Sequence, residues 1–252
     1  MADALCEHVR RTLQGSRTLL VLSAIGLAPS VRATPPNAAD HCIHQFLEQD
    51  DTQHPYRATR RLEAENGGRS GWLEAVTDYS PQTGFRYQII AEGGSAYIRG
   101  KVLRAVLDAE RDAIAKGETA RSSLDRTNYA FESNGLDADG LAKVQLTPLR
   151  KDRVLVTGTI FLQPAGGDLV RLQGRLAKSP SFWVKDVEIL RSYERIGGAI
   201  VPVALESKAQ LRLLGPAALR MTYTYSEIDG RPVATSQGRL GFVAATAKRA
   251  PF

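Results

Sequence analysis

The chain has 252 residues, of which 43% are hydrophobic and 24% are charged, and its formal net charge is +6 at pH 7. This length and composition allow one large domain or two small ones with a sizeable core, and they exclude an extensively disordered protein. The basic residues form no Lys/Arg cluster with interleaved aromatic side chains, so we expect no nucleic-acid binding. The positive charge is compatible with peripheral contact with an anionic membrane surface.

The N-terminal 33 residues have the organisation of a secretory signal peptide. Arg10, Arg11 and Arg17 precede an apolar run at Thr18–Ala28, and small residues follow up to Ala33. The run is shorter than the roughly 20 residues that a transmembrane helix needs. We therefore predict cleavage near Ala33 and a periplasmic or otherwise extracytoplasmic location. The pattern leaves general secretion and twin-arginine export as alternatives.

Cleavage would remove Cys6 and leave Cys42, so the mature chain could form no intramolecular disulfide. Cys42 is then either buried or available for intermolecular pairing. The loss of four arginines and two carboxylates would lower the formal charge from +6 to +4. Residues 34–252 show no internal repeat, and we predict that they form a single domain.

The mature chain is predicted to begin with one helix and three strands. Ile43, Phe46 and Leu47 share one face of a short helix over 38–49. Segments that contain Asn-Gly-Gly and Ser-Pro-Gln-Thr-Gly separate the strands and are typical of hairpin turns. The strands are predicted at 56–65, 71–79 and 85–91.

A second, longer helix is predicted over 96–116. Its apolar side chains recur at helical spacing, its opposite face is charged, and Gly117 stands where a C-terminal cap is expected. The apolar stripe consists of Ile98, Val102, Ala105, Val106, Ala109 and Ile114.

From residue 128 onward, apolar and polar residues alternate between successive turn signals. In 153–163, for example, the side chains that share one face are Val154, Val156, Ile160 and Leu162. This period of two predicts antiparallel strands in meander order, with one apolar face and one wetted face. The total reaches about ten strands, which is too many for a flat open sheet, so the sheet must curl.

A curled sheet of this kind must cover its apolar face. A closed barrel would cover it with its own side chains. A half-barrel would cover it with the two helices and leave an apolar cavity between helices and sheet. The alternation alone is compatible with both arrangements.

Two segments and the order of elements carry a resemblance to a known family. The segments are "SFWVKDVEILRSYERIGGAIVP" at 181–202 and "EGGSAYIRGKVLRAVLDAE" at 92–110. Over residues 38–230 the chain resembles the LolA-like outer-membrane lipoprotein carriers and their relatives, the periplasmic lipid-binding lipoproteins and envelope-stress regulators. The resemblance implies a mainly β fold with helices (α+β), in which a strongly curved antiparallel sheet of about ten strands forms an incomplete barrel plugged by two helices.

The same resemblance implies a function. In the family the apolar concavity receives acyl chains, and an arginine helps to hold a lid helix closed; Arg60 and Arg61 are candidate positions for it. The acylated N-terminal cysteine of membrane-anchored members is missing here, which favours a soluble carrier or sensor. The expected function is an exported binder or carrier of lipid or lipoprotein acyl chains, working without a cofactor. The alternative is a non-catalytic cell-envelope sensor or protein-interaction module with an envelope protein as partner.

The candidate cavity residues are apolar side chains of the later strands. An apolar pocket with a few polar groups is the usual form of a ligand site. The other interpretation is that these side chains only pack beneath the helices. They are Phe182, Trp183, Val187, Ile189, Tyr193, Leu205, Leu211, Met221, Tyr223 and Tyr225.

Metal binding has only weak support in the sequence. His41 and His44 lie three residues apart beside Cys42, which are zinc-ligand types, but Cys42 would point away from His44 on a helix. Asp137 and Asp139 have a calcium-like spacing without the remaining ligands of a calcium loop. We expect exposed histidines, a solvated hairpin loop and no metal.

Catalysis is also weakly supported. The sequence lacks G-x-S-x-G, a Walker A loop and G-x-G-x-x-G, and no histidine follows His54. A hydrolase would have to use carboxylates of one strand. That strand carries carboxylates beside basic residues, which is typical of a solvated face: Asp186, Glu188 and Glu194 with Lys185, Arg191 and Arg195. We expect no enzymatic activity.

Overall fold

The structure is a computed structural model and describes residues 38–49, 53–213 and 215–234. The predicted signal peptide and its cleavage site lie outside these residues. Within them, no helix has the length and apolar character that crossing a bilayer requires.

The described residues form two helical stretches and a single large sheet. The helices are α1 (Ala38–Glu48), α2 (Ala96–Ile98) and α3 (Arg104–Ala115), with a π-helical turn at Arg99–Leu103 and a 3-10 turn at Thr119–Ser122. We call residues 96–115 the second helical stretch. The strands are β1 (Tyr56–Asn66), β2 (Arg69–Ser80), β3 (Gly84–Gly94), β4 (Tyr129–Leu136), β5 (Ala142–Pro148), β6 (Val156–Leu162), β7 (Leu169–Leu176), β8 (Val184–Ile196), β9 (Ala199–Leu211), β10 (Gly215–Ile228) and β11 (Arg231–Pro232).

The sheet is antiparallel and open. Its strand order is β3-β2-β1-β10-β9-β8-β7-β6-β5-β4, and β11 pairs with the end of β10. Strands β1–β3 are joined as consecutive hairpins, and so are strands β4–β10. The two groups meet where β1 pairs with β10. In the described residues β3 and β4 end the sheet without pairing with each other. The predicted fold class, an incomplete barrel with helices, is confirmed.

Two glycines let the backbones of β6 and β7 approach closely. Gly158 and Gly174 pair with each other across these strands. A Cβ atom on Gly158 would lie 2.1 Å from the carbonyl oxygen of Gln173, and one on Gly174 would lie 2.3 Å from that of Thr157. Since real Cβ atoms do not approach so closely, only glycine permits this backbone contact.

The helices pack on the same apolar face of the sheet but at opposite ends. α1 lies over β4, β5 and β6, while the second helical stretch lies over β1, β2 and β3. The first core contains Cys42, Val144, Leu146, Ile160 and Leu162. The second contains Leu62, Leu73, Ile98, Leu103 and Leu107. The opposite face of the sheet carries mainly polar side chains, as the alternation predicted.

The connection between β6 and β7 holds α1 in place. The Cys42 thiol donates a hydrogen bond to the Pro164 carbonyl oxygen at 3.6 Å, and the Gln49 amide donates to Gly166 at 2.8 Å. Gly167 approaches so closely that a Cβ there would lie 2.7 Å from the Phe46 nitrogen. Cys42 is 1% exposed, and burial raises the pKa of its thiol. Of the two expectations for Cys42, burial is confirmed.

Glu92, at the end of β3, anchors the second helical stretch. One carboxylate oxygen binds Arg99 and the other binds Arg104. The π-helical turn brings these two arginines, five residues apart, to the same side of the helix.

The predicted helices and the first three strands are confirmed to within a few residues. The Gly-Gly hairpin between β8 and β9 is confirmed as well, with positive φ at Gly197 and Gly198. The placement of Val154 on the inner face was wrong, because Arg153 and Val154 form a turn before β6. Val154 is 44% exposed, and Leu155 takes the buried position.

Candidate functional site

A strip of apolar side chains separates the two cores on the inner face. On β8, Ile189 and Tyr193 pack against the α1 core. On β9 and β10, Leu205, Leu219 and Tyr223 pack against the core of the second helical stretch. All five are only half-buried. We call this strip on β8, β9 and β10 the inner trough.

The structure brings most of the predicted cavity residues to this face. Met221 and Tyr225 are only 2% and 4% exposed and belong to closed packing, whereas the others on the face are half-buried. The strand registers place on the inner face Val187, Ile189, Tyr193, Leu205, Leu211, Met221, Tyr223 and Tyr225.

Phe182 and Trp183 lie instead on the loop before β8. They are 71% and 57% exposed, and their rings meet edge to face at 5.5 Å between centroids. The Arg212 guanidinium lies 4.6 Å from the centroid of the Phe182 ring, and its amide donates to the Trp183 carbonyl oxygen at 2.9 Å. Leu213 follows and is 77% exposed. We call these four residues the aromatic rim.

Arg60 of β1 binds the second helical stretch from beneath. Its Nη1 and Nη2 atoms donate to the Glu110 carboxylate of α3 at 2.6 and 2.9 Å. Nη2 also donates to the Tyr56 hydroxyl. Arg60 is 2% exposed, so this two-pronged ion pair is shielded from water on the arginine side.

Aromatic rings complete the surroundings of this guanidinium. The centroids of the Phe85 and Tyr223 rings lie 4.9 and 4.7 Å from it, within cation–π distance. Burial opposes the positive charge of Arg60, but the hydrogen bonds and negative charge of Glu110 outweigh it and raise the arginine pKa. The arginine therefore stays charged and bridges β1 and α3.

The other candidate for a lid-holding arginine, Arg61, points to the outer face. It pairs with Glu63 and Glu74 there, each at 2.8 Å, and lies 4.2 Å from the centroid of the Trp72 ring. Of these two arginines, Arg60 is the one whose ion pairs in the described residues reach the second helical stretch, through Glu110.

Arg191 also lies on the inner face; it is solvent-exposed, as its charged neighbours indicated, but it shares this face with the apolar strip. The register pairs it with Leu172 of β7 and Leu205 of β9, both inner-face residues. It shares the odd-numbered alternation of Val187 and Ile189. This alternation in the sequence indicated the same face for Arg191, but the charged residues on either side favoured a solvated strand face instead.

Two grooves open on the outer face of the sheet. One, of about 810 Å³, lies beside the β1–β2 turn and is lined by charged side chains that include Glu65, Arg175 and Glu188. The other, of about 470 Å³, lies near Trp72 and Arg220. Because their charged walls are partly ion-paired, as in Arg175–Glu188 at 2.8 Å, these grooves suit polar contacts better than an acyl chain.

The side chains considered as metal ligands in the sequence take part in local ion pairs and hydrogen bonds. His44 is exposed and pairs with Glu48 at 3.1 Å, and His54 pairs with Asp229 at 2.9 Å. The Asp137 carboxylate accepts two backbone N–H groups of its own hairpin loop at 2.9 Å. Within the described ranges, no three His, Cys, Asp or Glu side chains are grouped as metal ligands.

Comparisons with protein-family models and with curated proteins find no match. Two solved structures are similar. A DUF1329 family protein from Desulfovibrio piger has 11% identity and a TM-score of 0.37, with 76% of this chain and 92% of that chain covered. The MucA/MucB complex of Pseudomonas aeruginosa has 13% identity and a TM-score of 0.22, with coverages of 78% and 99%. At these values the fold assignment rests on the observed sheet order and helix positions.

Proposed function

We propose that the protein is an exported, non-catalytic binder or carrier of lipid or lipoprotein acyl chains, and that the chain lies in the inner trough. The observation that carries the proposal is the strip of half-buried apolar side chains between the α1 core and the core of the second helical stretch, beside a third buried cluster that contains Ala58, Val201 and Tyr225. An acyl chain there would gain about 0.8 kcal/mol for each buried CH₂ group without any specific polar contact.

The Arg60–Glu110 ion pair is the polar contact that an opening of the second helical stretch would break. It is a discrete contact between α3 and β1, in addition to the apolar packing. An outward movement of α3 would widen the trough beside Leu205 and Leu219. The extracytoplasmic location belongs to the same proposal and rests on the sequence of residues 1–33.

Uptake of a fluorescent long-chain fatty acid tests this function. Leu205→Glu should weaken uptake at least about tenfold, because it puts a charge into the trough. Thr222→Glu is the matched control, since Thr222 lies on the outer face of neighbouring β10, paired with Arg61. Circular dichroism checks that both variants fold. Absence of uptake by the wild type, together with a lipid-free mass spectrum of the natively purified protein, would overturn the proposal.

The aromatic rim favours a second candidate, a cell-envelope sensor or protein-interaction module. Exposed aromatic side chains beside arginine are enriched in the energetic centres of protein interfaces, and Phe182 and Trp183 are held in place by Arg212. Cross-linking in the native envelope should then capture one partner that Trp183→Ser loses and Leu205→Glu retains. A partner captured equally by both variants would count against this candidate.

A further inference from the structure

Arg191 is a charged side chain in the apolar inner trough. It lies on β8 between Ile189 and Tyr193, and Leu205 stands opposite it on β9. Unlike Arg60, it is exposed to solvent. Its guanidinium therefore borders the space where an acyl chain would lie, and not the closed core.

The charge of Arg191 is not neutralised by an ion pair. No carboxylate of the described residues lies within ion-pair distance of it. Glu110 is the carboxylate whose charge it senses most, but both oxygens of Glu110 are bound by Arg60. Arg60 therefore occupies the carboxylate nearest in influence to Arg191, and Arg191 makes no ion pair of its own among the described residues.

The surroundings of Arg191 stabilise its charge without supplying an anion. Attraction to the Tyr193 phenol oxygen is the largest cause that raises the arginine pKa; desolvation of the guanidinium by neighbouring side chains opposes it, and Tyr223 and Glu110 add to it. Tyrosine hydroxyls can accept one hydrogen bond each, whereas a guanidinium has five N–H donors. Most donors of Arg191 are therefore available to a ligand.

We propose that Arg191 binds the anionic head group, a carboxylate or a phosphate, of an amphiphile whose chain occupies the inner trough. The planar guanidinium suits either group because it can donate two parallel hydrogen bonds. An acyl chain that enters the trough would displace water from this guanidinium, and that desolvation costs free energy unless an anion pairs with it. This inference rests on the proposed function and narrows it from acyl chains in general to anionic amphiphiles.

The experiment compares ligands of one chain length with different head groups. Binding of hexadecanoate, hexadecyl phosphate and hexadecanol, each below its aggregation limit, is measured by displacement of a fluorescent fatty acid from the purified protein. Inorganic phosphate alone is the fourth arm. The wild type should bind the two anionic amphiphiles about tenfold more tightly than the alcohol, as expected for a charge-assisted hydrogen-bonded pair.

Arg191→Gln should remove this preference and leave hexadecanol binding unchanged. Arg220→Gln is the matched control, because Arg220 lies on the outer face and pairs with Glu206 at 3.0 Å; it should keep the wild-type preference. Arg191→Lys should restore part of the preference, since it keeps the charge but not the planar fork. Urea denaturation of each variant establishes that it is folded at the assay conditions.

The outcomes separate the two proposals. If the wild type binds all three amphiphiles equally, or if Arg191→Gln keeps the preference for anions, the head-group inference is overturned and acyl-chain binding stands. If inorganic phosphate binds as tightly as hexadecyl phosphate, the site is one for free anions, and the inference is overturned as well. If no amphiphile binds, the proposed function fails together with the inference.

Discussion

At the scale of single residues, two arginines on the inner face have different environments. Arg60 is enclosed by aromatic rings and paired with Glu110, while Arg191 is open to solvent, and the largest influence on its pKa is Tyr193. The first contact ties β1 to α3, and the second leaves donors free beside the trough. One side chain therefore serves the fold and the other is the candidate for ligand binding.

Removal of the Glu110 charge tests the structural role of Arg60. Glu110→Gln should lower the free energy of unfolding by about 3 kcal/mol, because it leaves a buried guanidinium without its counter-ion. Asp112→Asn on the same helix should change it by less than about 0.5 kcal/mol, since Asp112 is exposed and its ion pair with Arg111 is screened by water. Urea denaturation measures both values, and equal losses would contradict the role assigned to Arg60.

At the scale of elements, the close approach of β6 to β7 and the π-helical turn are two local features of the backbone. Gly158 and Gly174 allow these two strands to approach. The turn at Arg99–Leu103 precedes α3, which packs on β3 and reaches Arg60 of β1 through Glu110. Neither feature could be predicted from the alternation or the helical spacing of apolar residues in the sequence.

Alanine substitutions at two glycines should act in opposite directions. Gly174→Ala should destabilise the protein by about 3 kcal/mol or more, because the added Cβ would overlap the Thr157 carbonyl oxygen. Gly100→Ala should stabilise it by up to about 1 kcal/mol, since nothing lies within 4 Å of its added Cβ and alanine favours helix. Thermal unfolding followed by circular dichroism measures both. A tolerated Gly174→Ala would show that the close approach of β6 and β7 does not need glycine.

At the scale of the whole molecule, β1 and β10 join two groups of strands that are remote in sequence. Their pairs run from Tyr56 with Ile228 to Asn66 with Ala217. Every other neighbouring pair of the ten-strand order connects strands that follow one another in the described chain. The inner trough borders this junction. The candidate site therefore depends on pairing between two strands that are far apart in the sequence.

Refolding should therefore be slow at the β1–β10 junction. Closing a connection of about 150 residues costs more entropy than closing a hairpin, and non-local sheets fold in milliseconds to seconds or longer. In pulsed hydrogen exchange, the amide of Leu62 on β1 should gain protection after that of Ile189 in the β8–β9 hairpin. Simultaneous protection of both amides would contradict this order.

Local pattern was enough to predict most elements of the fold. The alternation in 142–148 placed Ala142, Val144 and Leu146 inward, and all three are fully buried. The glycine turns at 67–68 and 197–198 were predicted correctly because positive φ at adjacent residues is a property of glycine itself. The two helical stretches were likewise predicted from the helical spacing of their apolar residues.

The candidate site was only partly predictable. Val187, Ile189 and Leu205 were assigned to one apolar face, and the structure places them together. Arg191 was missed because a charge on a strand is usually solvated; its parity with Val187 and Ile189 indicated the inner face, and the pairing with β7 and β9 establishes it. Phe182 was included because it is aromatic, although the loop before β8 carries it to the rim.

The sequence by itself determined the elements, their turns and the division of the sheet into an apolar and a polar face, because these depend on residues a few positions apart. The tertiary structure alone decided that β1 pairs with β10, that α1 and the second helical stretch cover opposite ends of the inner face, and that Arg191 lies between them. These features depend on contacts between residues distant in the chain, which a local pattern does not encode.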